Sequence, residues 1–87
     1  TMWWVYLIET EKGQLYTGIS RDVDRRFQEH LDTANGKPKA KGAKFFRSQM
    51  PLRVIARFAF DDRSQASKEE HRIKRLSAAQ KRRLATT

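Results

Sequence analysis

The chain has 87 residues, no cysteine and a formal net charge of +9 at neutral pH. This length suffices for one small domain, and the absence of cysteine excludes disulfides and thiolate metal sites. The longest apolar run, residues 2–8, is far shorter than the roughly 20 residues that span a bilayer, so we expect no membrane partner.

The positive charge indicates an anionic partner, because a small domain with this imbalance repels itself. Nucleic acid is the leading candidate. A ribosome-associated protein, a membrane-surface protein and a merely basic protein are the alternatives that charge leaves open. The lack of cysteine is consistent with the cytoplasmic location that we expect, and the sequence indicates no particular oligomeric state.

Residues 3–9 and 15–19 are expected to form an antiparallel β-hairpin. Both segments are rich in β-branched and aromatic residues, which favour strands. The polar segment between them has Gly13 near its end, which is typical of a hairpin loop. A connection this short cannot cross over to a parallel partner, so the two strands run antiparallel.

A helix is predicted after the hairpin, capped by Ser20 or Asp22 and ending near residue 31 or 34. Its apolar residues recur every fourth position and define one buried stripe. They are Val23, Phe27 and Leu31. Residues 33–42 have the composition of a mobile basic loop, and residues 43–48 predict a short helix or turn.

A third strand is predicted over residues 52–60, opened by Pro51. Its residues alternate between an apolar face and a face that carries two arginines, which is the pattern of a half-buried strand. The predicted apolar face consists of Val54, Ala56, Phe58 and Phe60.

Two helices complete the chain. Ser64 is predicted to cap the first, over residues 65–76, and Ser77 with Gln80 forms a capping-box pattern for the second, over residues 78–84. The order β-β-α-β-α-α predicts the α+β class, with a small three-stranded antiparallel sheet flanked by helices. We expect a single domain over residues 2–84 and a short tail over residues 85–87.

Two tyrosines are the first candidates for a functional role. The hairpin places Tyr6 and Tyr16 on adjacent strands, where Tyr6 shares a face with Ile8 and Tyr16 lies across from either. Facing tyrosines in a hairpin are more often core residues than catalytic ones. The pair alone therefore does not indicate a site.

Arg26 and His30 are four residues apart and project the same way from the predicted helix. His30 falls within the apolar stripe by angle, and Arg26 flanks that stripe. Both are compatible with structural roles, because an arginine beside an apolar stripe buries its stem while its charged head stays in water.

Glu70 lies between Ala66 and Ile73 on the inward face of its predicted helix, whereas Glu69 leans toward solvent. A carboxylate directed into a protein is costly unless it is paired or bound to a cation. Two interpretations stay open. Glu70 is either a partner in a buried ion pair with arginine or a ligand for a hard cation such as Mg²⁺, which prefers oxygen.

Basic residues cluster in the loop and toward the end of the chain. They are Lys37, Lys39, Lys41 and Lys44 in the loop, and Lys74, Arg75, Lys81, Arg82 and Arg83 beyond it. A solvated face and contacts with a phosphate backbone both explain such clusters. The positive excess is not offset nearby, which favours contacts with a phosphate backbone.

In this order the segments resemble the GIY-YIG nuclease family, whose name records two short motifs in a β-hairpin. Trp4-Val5-Tyr6 stands in the place of Gly-Ile-Tyr, and Tyr16-Thr17-Gly18 in the place of Tyr-Ile-Gly. Four further segments are similar to the small bacterial stand-alone members of the family. They are the helix with arginine and histidine four residues apart and the segments 41–44, 51–52 and 70–77. The resemblance covers nearly the whole chain.

The resemblance implies a metal-dependent endonuclease that hydrolyses DNA phosphodiester bonds in repair or recombination, directed by DNA structure rather than sequence. It implies a single Mg²⁺ or Mn²⁺ held by Glu70, and Arg26 in contact with the scissile phosphate. Tyr6 or Tyr16 is then the general base or water-positioning group, and His30 assists proton transfer or positioning.

The resemblance also favours DNA over RNA as the nucleic-acid partner. The side chains expected to contact it are Arg21, Arg25, Lys39, Lys41, Lys44 and Lys74.

The departures from the family pattern spare the central residues. Trp4 and Thr17 replace a glycine and an isoleucine, Ile19 stands where some repair members have lysine, and no asparagine follows the glutamate helix. The intact Tyr-Tyr-Arg-Glu set favours an active enzyme. The alternatives are a non-catalytic nucleic-acid-binding module that keeps the fold, and a protein-interaction domain whose basic surface is incidental.

Overall fold

The computed structural model describes residues 1–86. Its strands are β1 (Trp3–Thr10), β2 (Leu15–Ser20) and β3 (Pro51–Phe60). Its helices are α1 (Val23–Ala34), α2 (Arg63–Lys74) and α3 (Ala78–Thr86), and a short 3₁₀ helix (Lys44–Arg47) precedes β3. The predicted α+β class and the order of the elements are confirmed.

The three strands form one antiparallel sheet in the order β2-β1-β3. The apolar strand β1 takes the centre, because only a central strand buries side chains on both faces. Tyr6 on β1 lies opposite Gly18 on β2 and opposite Arg57 on β3.

Alternate residues of β1 enter two separate cores. On one side, which we call the α1 face, the buried residues are Tyr6, Ile8, Val23 and Phe46. On the other, the α2 face, they are Val5, Leu7, Ala66 and Ile73. Because successive side chains of a strand point to opposite faces, α1 and α2 lie on opposite sides of the sheet.

The predicted strict alternation of β3 is wrong at its start. Leu7 pairs with Ala56 but Ile8 pairs with Val54, so Ile55 is an extra residue in the ladder. This β-bulge turns Val54 toward the α1 face, while Ala56, Phe58 and Phe60 keep to the α2 face. One extra residue in a strand moves the side chains before it to the opposite face of the sheet. A prediction from strict alternation of apolar and polar residues does not include this change.

The helix caps agree with the sequence except at α2. The carboxylate of Asp22 accepts a hydrogen bond from the Arg25 backbone N–H at the start of α1. Helix α2 begins at Arg63 rather than at 65, because Asp62 and not Ser64 caps it, and it ends at Lys74 rather than at 76. An aspartate ahead of the predicted cap satisfies the first free N–H groups earlier.

The capping box of the last helix forms through reciprocal hydrogen bonds between Ser77 and Gln80. Helix α3 includes Ala85 and Thr86, where we expected the tail, and position 87 lies outside the described residues. Within residues 1–86, the helices are all too short or too polar to cross a membrane.

Candidate active site

The hydroxyl of Tyr6 lies at the centre of the α1 face. Tyr6 is only 1% exposed, and its oxygen is 2.9 Å from Nε2 of His30 on α1. Strand β1 supplies the tyrosine and the third turn of α1 supplies the histidine. Two elements far apart in sequence therefore meet at one buried hydrogen bond.

Gly18 makes room for this hydroxyl. It lies directly across from Tyr6 in the β1–β2 ladder, and a Cβ atom at this position would be 2.5 Å from the tyrosine oxygen. Contacts that close are not tolerated between carbon and oxygen, so any larger residue displaces the Tyr6 ring. The glycine of the second motif is therefore required by packing.

Tyr16 forms the outer wall of the same site. It pairs with Ile8, so it projects on the same face as Tyr6, and the two ring centroids are 6.3 Å apart. Tyr16 is partly exposed and packs edge-on against His30 at 5.3 Å. Its ring also contacts Phe46 at 4.9 Å, which restricts it to one orientation.

His30 is fully buried between these aromatic rings, and both of its nitrogens have partners. Nε2 faces Tyr6, and Nδ1 accepts a hydrogen bond from the backbone N–H of Ala43 at 3.1 Å. Burial, together with the nearby positive charge of Arg26, lowers the pKa of His30 to about 4. The imidazole is therefore neutral at physiological pH.

Arg26 lies one turn before His30 and is held by two acceptors. Its Nη1 donates to Oε1 of Glu29 and to the backbone carbonyl of Lys41, both at 2.9 Å. Its side chain is 30% exposed, so the guanidinium bridges the buried site and the surface.

Opposing effects act on the pKa of Tyr6. Burial is the largest and raises it, and the Tyr16 hydroxyl and the charge of Glu70 raise it further. The positive charge and hydrogen bonding of Arg26 oppose this change and lower it. Burial dominates, so Tyr6 keeps its proton unless a further positive charge reaches it.

Glu70 lies on α2, and its negative charge is among the smaller effects that raise the pKa of Tyr6. Its side chain is 16% exposed and its carboxylate is 3.3 Å from Nζ of Lys74, which is itself half exposed. The neighbouring Glu69 instead pairs with Arg72. Of the two interpretations left open for Glu70, the buried ion pair with an arginine is not found among residues 1–86, where the carboxylate pairs with the half-exposed Lys74.

The residues predicted to contact nucleic acid are all exposed, but they are not equally close to the site. Lys41 belongs to the segment whose backbone contacts Arg26 and His30, Lys44 directly follows that segment, and Lys74 reaches Glu70. Arg21 directly follows β2, and its guanidinium lies 5.8 Å from the centre of the Trp3 ring. Arg25 and Lys39 point into solvent, and Lys39 adopts a positive φ of 61°.

The sequence-based search missed the groups that hold the candidate residues in place. Glu29 lies three residues after Arg26, a helical spacing that signals an ion pair. The backbone groups of Lys41 and Ala43 leave no signal in the side-chain pattern, because any residue type supplies them. The glycine between them was the available clue.

Comparisons with known proteins show which family the chain belongs to. The family of GIY-YIG catalytic domains matches residues 2–83. A UPF0213 protein of Cupriavidus necator is 49% identical over 92% of this chain and 79% of its own length. The UPF0213 protein YhbQ of Escherichia coli is 42% identical over 97% of this chain and 77% of its own.

A solved structure gives the same result. The solution NMR structure of a UPF0213 protein from Bacillus halodurans is 31% identical, covers 99% of this chain and 84% of its own, and superposes with a TM-score of 0.57. Because the family match spans nearly all of the chain, and relatives of this identity share it, the chain belongs to the GIY-YIG family of nuclease domains.

Proposed function

We propose that the protein is a metal-dependent endonuclease that hydrolyses DNA phosphodiester bonds. The observation that carries this proposal is the buried hydrogen bond between Tyr6 and His30, with Arg26 one turn before His30 on α1 and with the charges of Arg26 and Glu70 acting on the Tyr6 hydroxyl. Phosphodiester hydrolysis needs an activated water, a Lewis acid and cations aimed at the charge that develops on phosphorus. These residues are of the types that meet each need.

A divalent ion is compatible with the donors present. Mg²⁺ binds through one or two carboxylates and otherwise keeps water or takes phosphate oxygens. The Glu70 carboxylate is largely buried, and its ion-pair partner among residues 1–86 is the exposed Lys74. Among residues 1–86 no group of three or more His, Cys, Asp or Glu side chains is placed to hold a metal, so water and the substrate phosphate would supply the other ligands.

Three side chains then divide the chemistry. Arg26, partly exposed, contacts the scissile phosphate and stabilises its developing charge. Tyr6 positions the attacking water or takes its proton, and donors to the Tyr6 oxygen favour its ionised form against the effect of burial. Glu70 would hold the divalent cation, which would supply Lewis acidity when bound.

The basic surface supports DNA as the substrate. With a net charge of +9 the protein is suited to phosphate contacts, which carry no sequence information. No helix-turn-helix or zinc-finger pattern occurs in the sequence, and for this reason we propose recognition of DNA structure. The same proposal assigns the activity to DNA repair or recombination in the cytoplasm.

A cleavage assay on branched, nicked and linear DNA with Mg²⁺ or Mn²⁺ tests this proposal. We expect Arg26→Ala and Glu70→Gln each to lower the cleavage rate by about 100-fold or more, because each removes charge stabilisation from the transition state. Glu69→Gln is the matched control, since Glu69 precedes Glu70 on the same helix but pairs with Arg72. Cleavage that survives both substitutions would exclude the site.

A non-catalytic nucleic-acid-binding module is the second candidate. The observation that favours it is the burial of Tyr6, which holds the tyrosine in its protonated form. Tight, salt-sensitive DNA binding without cleavage in either metal would support this module, and cleavage abolished by Glu70→Gln would exclude it.

A further inference from the structure

The backbone of residues 41–43 contacts two candidate catalytic side chains at once. The carbonyl of Lys41 accepts a hydrogen bond from Nη1 of Arg26 at 2.9 Å. Two residues later, the N–H of Ala43 donates to Nδ1 of His30 at 3.1 Å. We call residues 41–43 the clamp segment. It holds an arginine with an acceptor and a histidine with a donor.

Gly42 is the residue that allows the clamp segment to reach α1. A Cβ atom at this position would be 2.6 Å from the backbone oxygen of Glu29 and 2.7 Å from Cα of His30. Both are backbone atoms of α1, so they cannot move aside as a flexible side chain can. Gly42 does not have the positive φ of Gly13 and Gly36, so space and not backbone conformation requires glycine here.

The contact with Ala43 determines where His30 carries its proton. A backbone N–H only donates, so Nδ1 must accept and is unprotonated. A neutral imidazole carries its single proton on the other nitrogen, which here is Nε2. Since Nε2 faces the Tyr6 oxygen at 2.9 Å, His30 donates to that oxygen.

This direction has a consequence for the tyrosine. A histidine that already carries a proton on Nε2 cannot accept the Tyr6 proton. Its donation stabilises negative charge on the tyrosine oxygen and leaves the Tyr6 proton directed elsewhere. His30 thus acts as a positioning residue for Tyr6, and its Nε2 cannot accept the Tyr6 proton.

We propose that the clamp segment positions two side chains, because it orients the Arg26 guanidinium and fixes the Nε2–H tautomer of His30. Position 42 requires glycine, since a residue with a Cβ atom does not fit against α1. The proposal rests on the proposed function only for its effect on cleavage. The tautomer of His30 is a property of the folded protein and is measurable without any substrate.

The first test is the ¹⁵N NMR spectrum of the imidazole groups in the wild-type protein near pH 7. We expect His30 to have a protonated Nε2 and an unprotonated Nδ1. The chain has one other histidine, the exposed His71, and His71→Gln removes its signals and completes the assignment. A protonated Nδ1 on His30 would overturn the proposal, whether or not the protein cleaves DNA.

The second test compares Gly42→Ala with Ala40→Gly. Gly42→Ala pushes the clamp segment off α1, so we expect mixed His30 tautomers and a cleavage rate lowered by about 100-fold. Ala40→Gly loosens the same loop without placing an atom against α1. It should leave the ¹⁵N signals of both His30 ring nitrogens and the cleavage rate unchanged. Wild-type tautomer and rate in Gly42→Ala would reject the role of Gly42. If Gly42→Ala does not fold, the wild-type spectrum decides the proposal.

Discussion

The two faces of the central strand β1 are built from neighbouring residues but differ in chemistry. On the α2 face, Val5 and Leu7 pack against aliphatic side chains of α2. On the α1 face, Tyr6 packs against His30 and is hydrogen-bonded to it. Buried polar groups cost free energy unless they form hydrogen bonds, so the α1 face depends on specific hydrogen-bond partners. The α2 face is instead stabilised by the apolar surface area that it buries. We infer that the α2 face mainly supplies stability, whereas the α1 face holds Tyr6, Tyr16 and His30, and that Glu70 is the candidate residue contributed by α2.

Leu7→Ala tests the stabilising face and has the largest expected effect. Leu7 is fully buried at the centre of the sheet, so its truncation removes apolar contacts and leaves a cavity. We expect a loss of about 2–5 kcal/mol in the free energy of unfolding, a large fraction for a small domain. Urea denaturation measures this loss. Leu52→Ala is the control, since Leu52 is 54% exposed, and it should stay within about 0.5 kcal/mol of wild type.

Tyr6→Phe tests the α1 face. The substitution keeps the ring but removes the hydroxyl, which leaves the His30 Nε2–H without its acceptor. We expect a loss of about 1–3 kcal/mol in stability and a fall of at least about 100-fold in the cleavage rate. Tyr16→Phe keeps its packing on His30 and should cost less stability. Equal stability losses in the two variants would contradict the difference between the buried and outer tyrosines.

The pH dependence of stability isolates His30 on the same face. Its pKa is lowered from 6.5 to about 4 by burial and by Arg26, so the folded state binds this proton less well than the unfolded state. Its stabilising contribution is complete above pH 6.5 and is lost as the pH falls toward 4, by on the order of 1–3 kcal/mol. Urea denaturation from pH 7 to pH 4 should show this loss in wild type and in His71→Gln but not in His30→Gln. An equal slope in all three proteins would disprove the assignment to His30.

Arg57→Ala has the smallest expected effect and tests the rim of the α1 face. Arg57 lies opposite Tyr6 on β3, and its Nη2 is 3.1 Å from Asp24, which is 84% exposed. Such exposed pairs contribute at most about 1 kcal/mol, so stability should change little. If Arg57 contacts a DNA phosphate, the affinity of Arg57→Ala for DNA should depend less steeply on salt concentration than that of wild type, by the equivalent of about one phosphate contact. Asp24→Ala, which frees Arg57, should not weaken binding.

Much of the fold follows from local sequence. The aromatic and β-branched runs, the short loop at Gly13 and the capping residues Asp22 and Ser77 predict the elements and their order. These signals are local, because capping groups and turn residues act within a few positions of themselves. The errors occurred where two local signals compete, as with Asp62 and Ser64 at the start of α2, or where a strand gains one residue, as at Ile55.

The sequence by itself supplied the candidate residues Tyr6, Tyr16, Arg26, His30 and Glu70, the last a carboxylate on a helix face that should be apolar. Only the tertiary structure decided how these groups interact. It brought the backbone of Lys41 and Ala43 against Arg26 and His30, and so it set which nitrogen of the histidine faces the tyrosine as a donor. The physical reason is that backbone donors and acceptors are the same at every position, so their role depends on where the chain passes and not on which residue carries them.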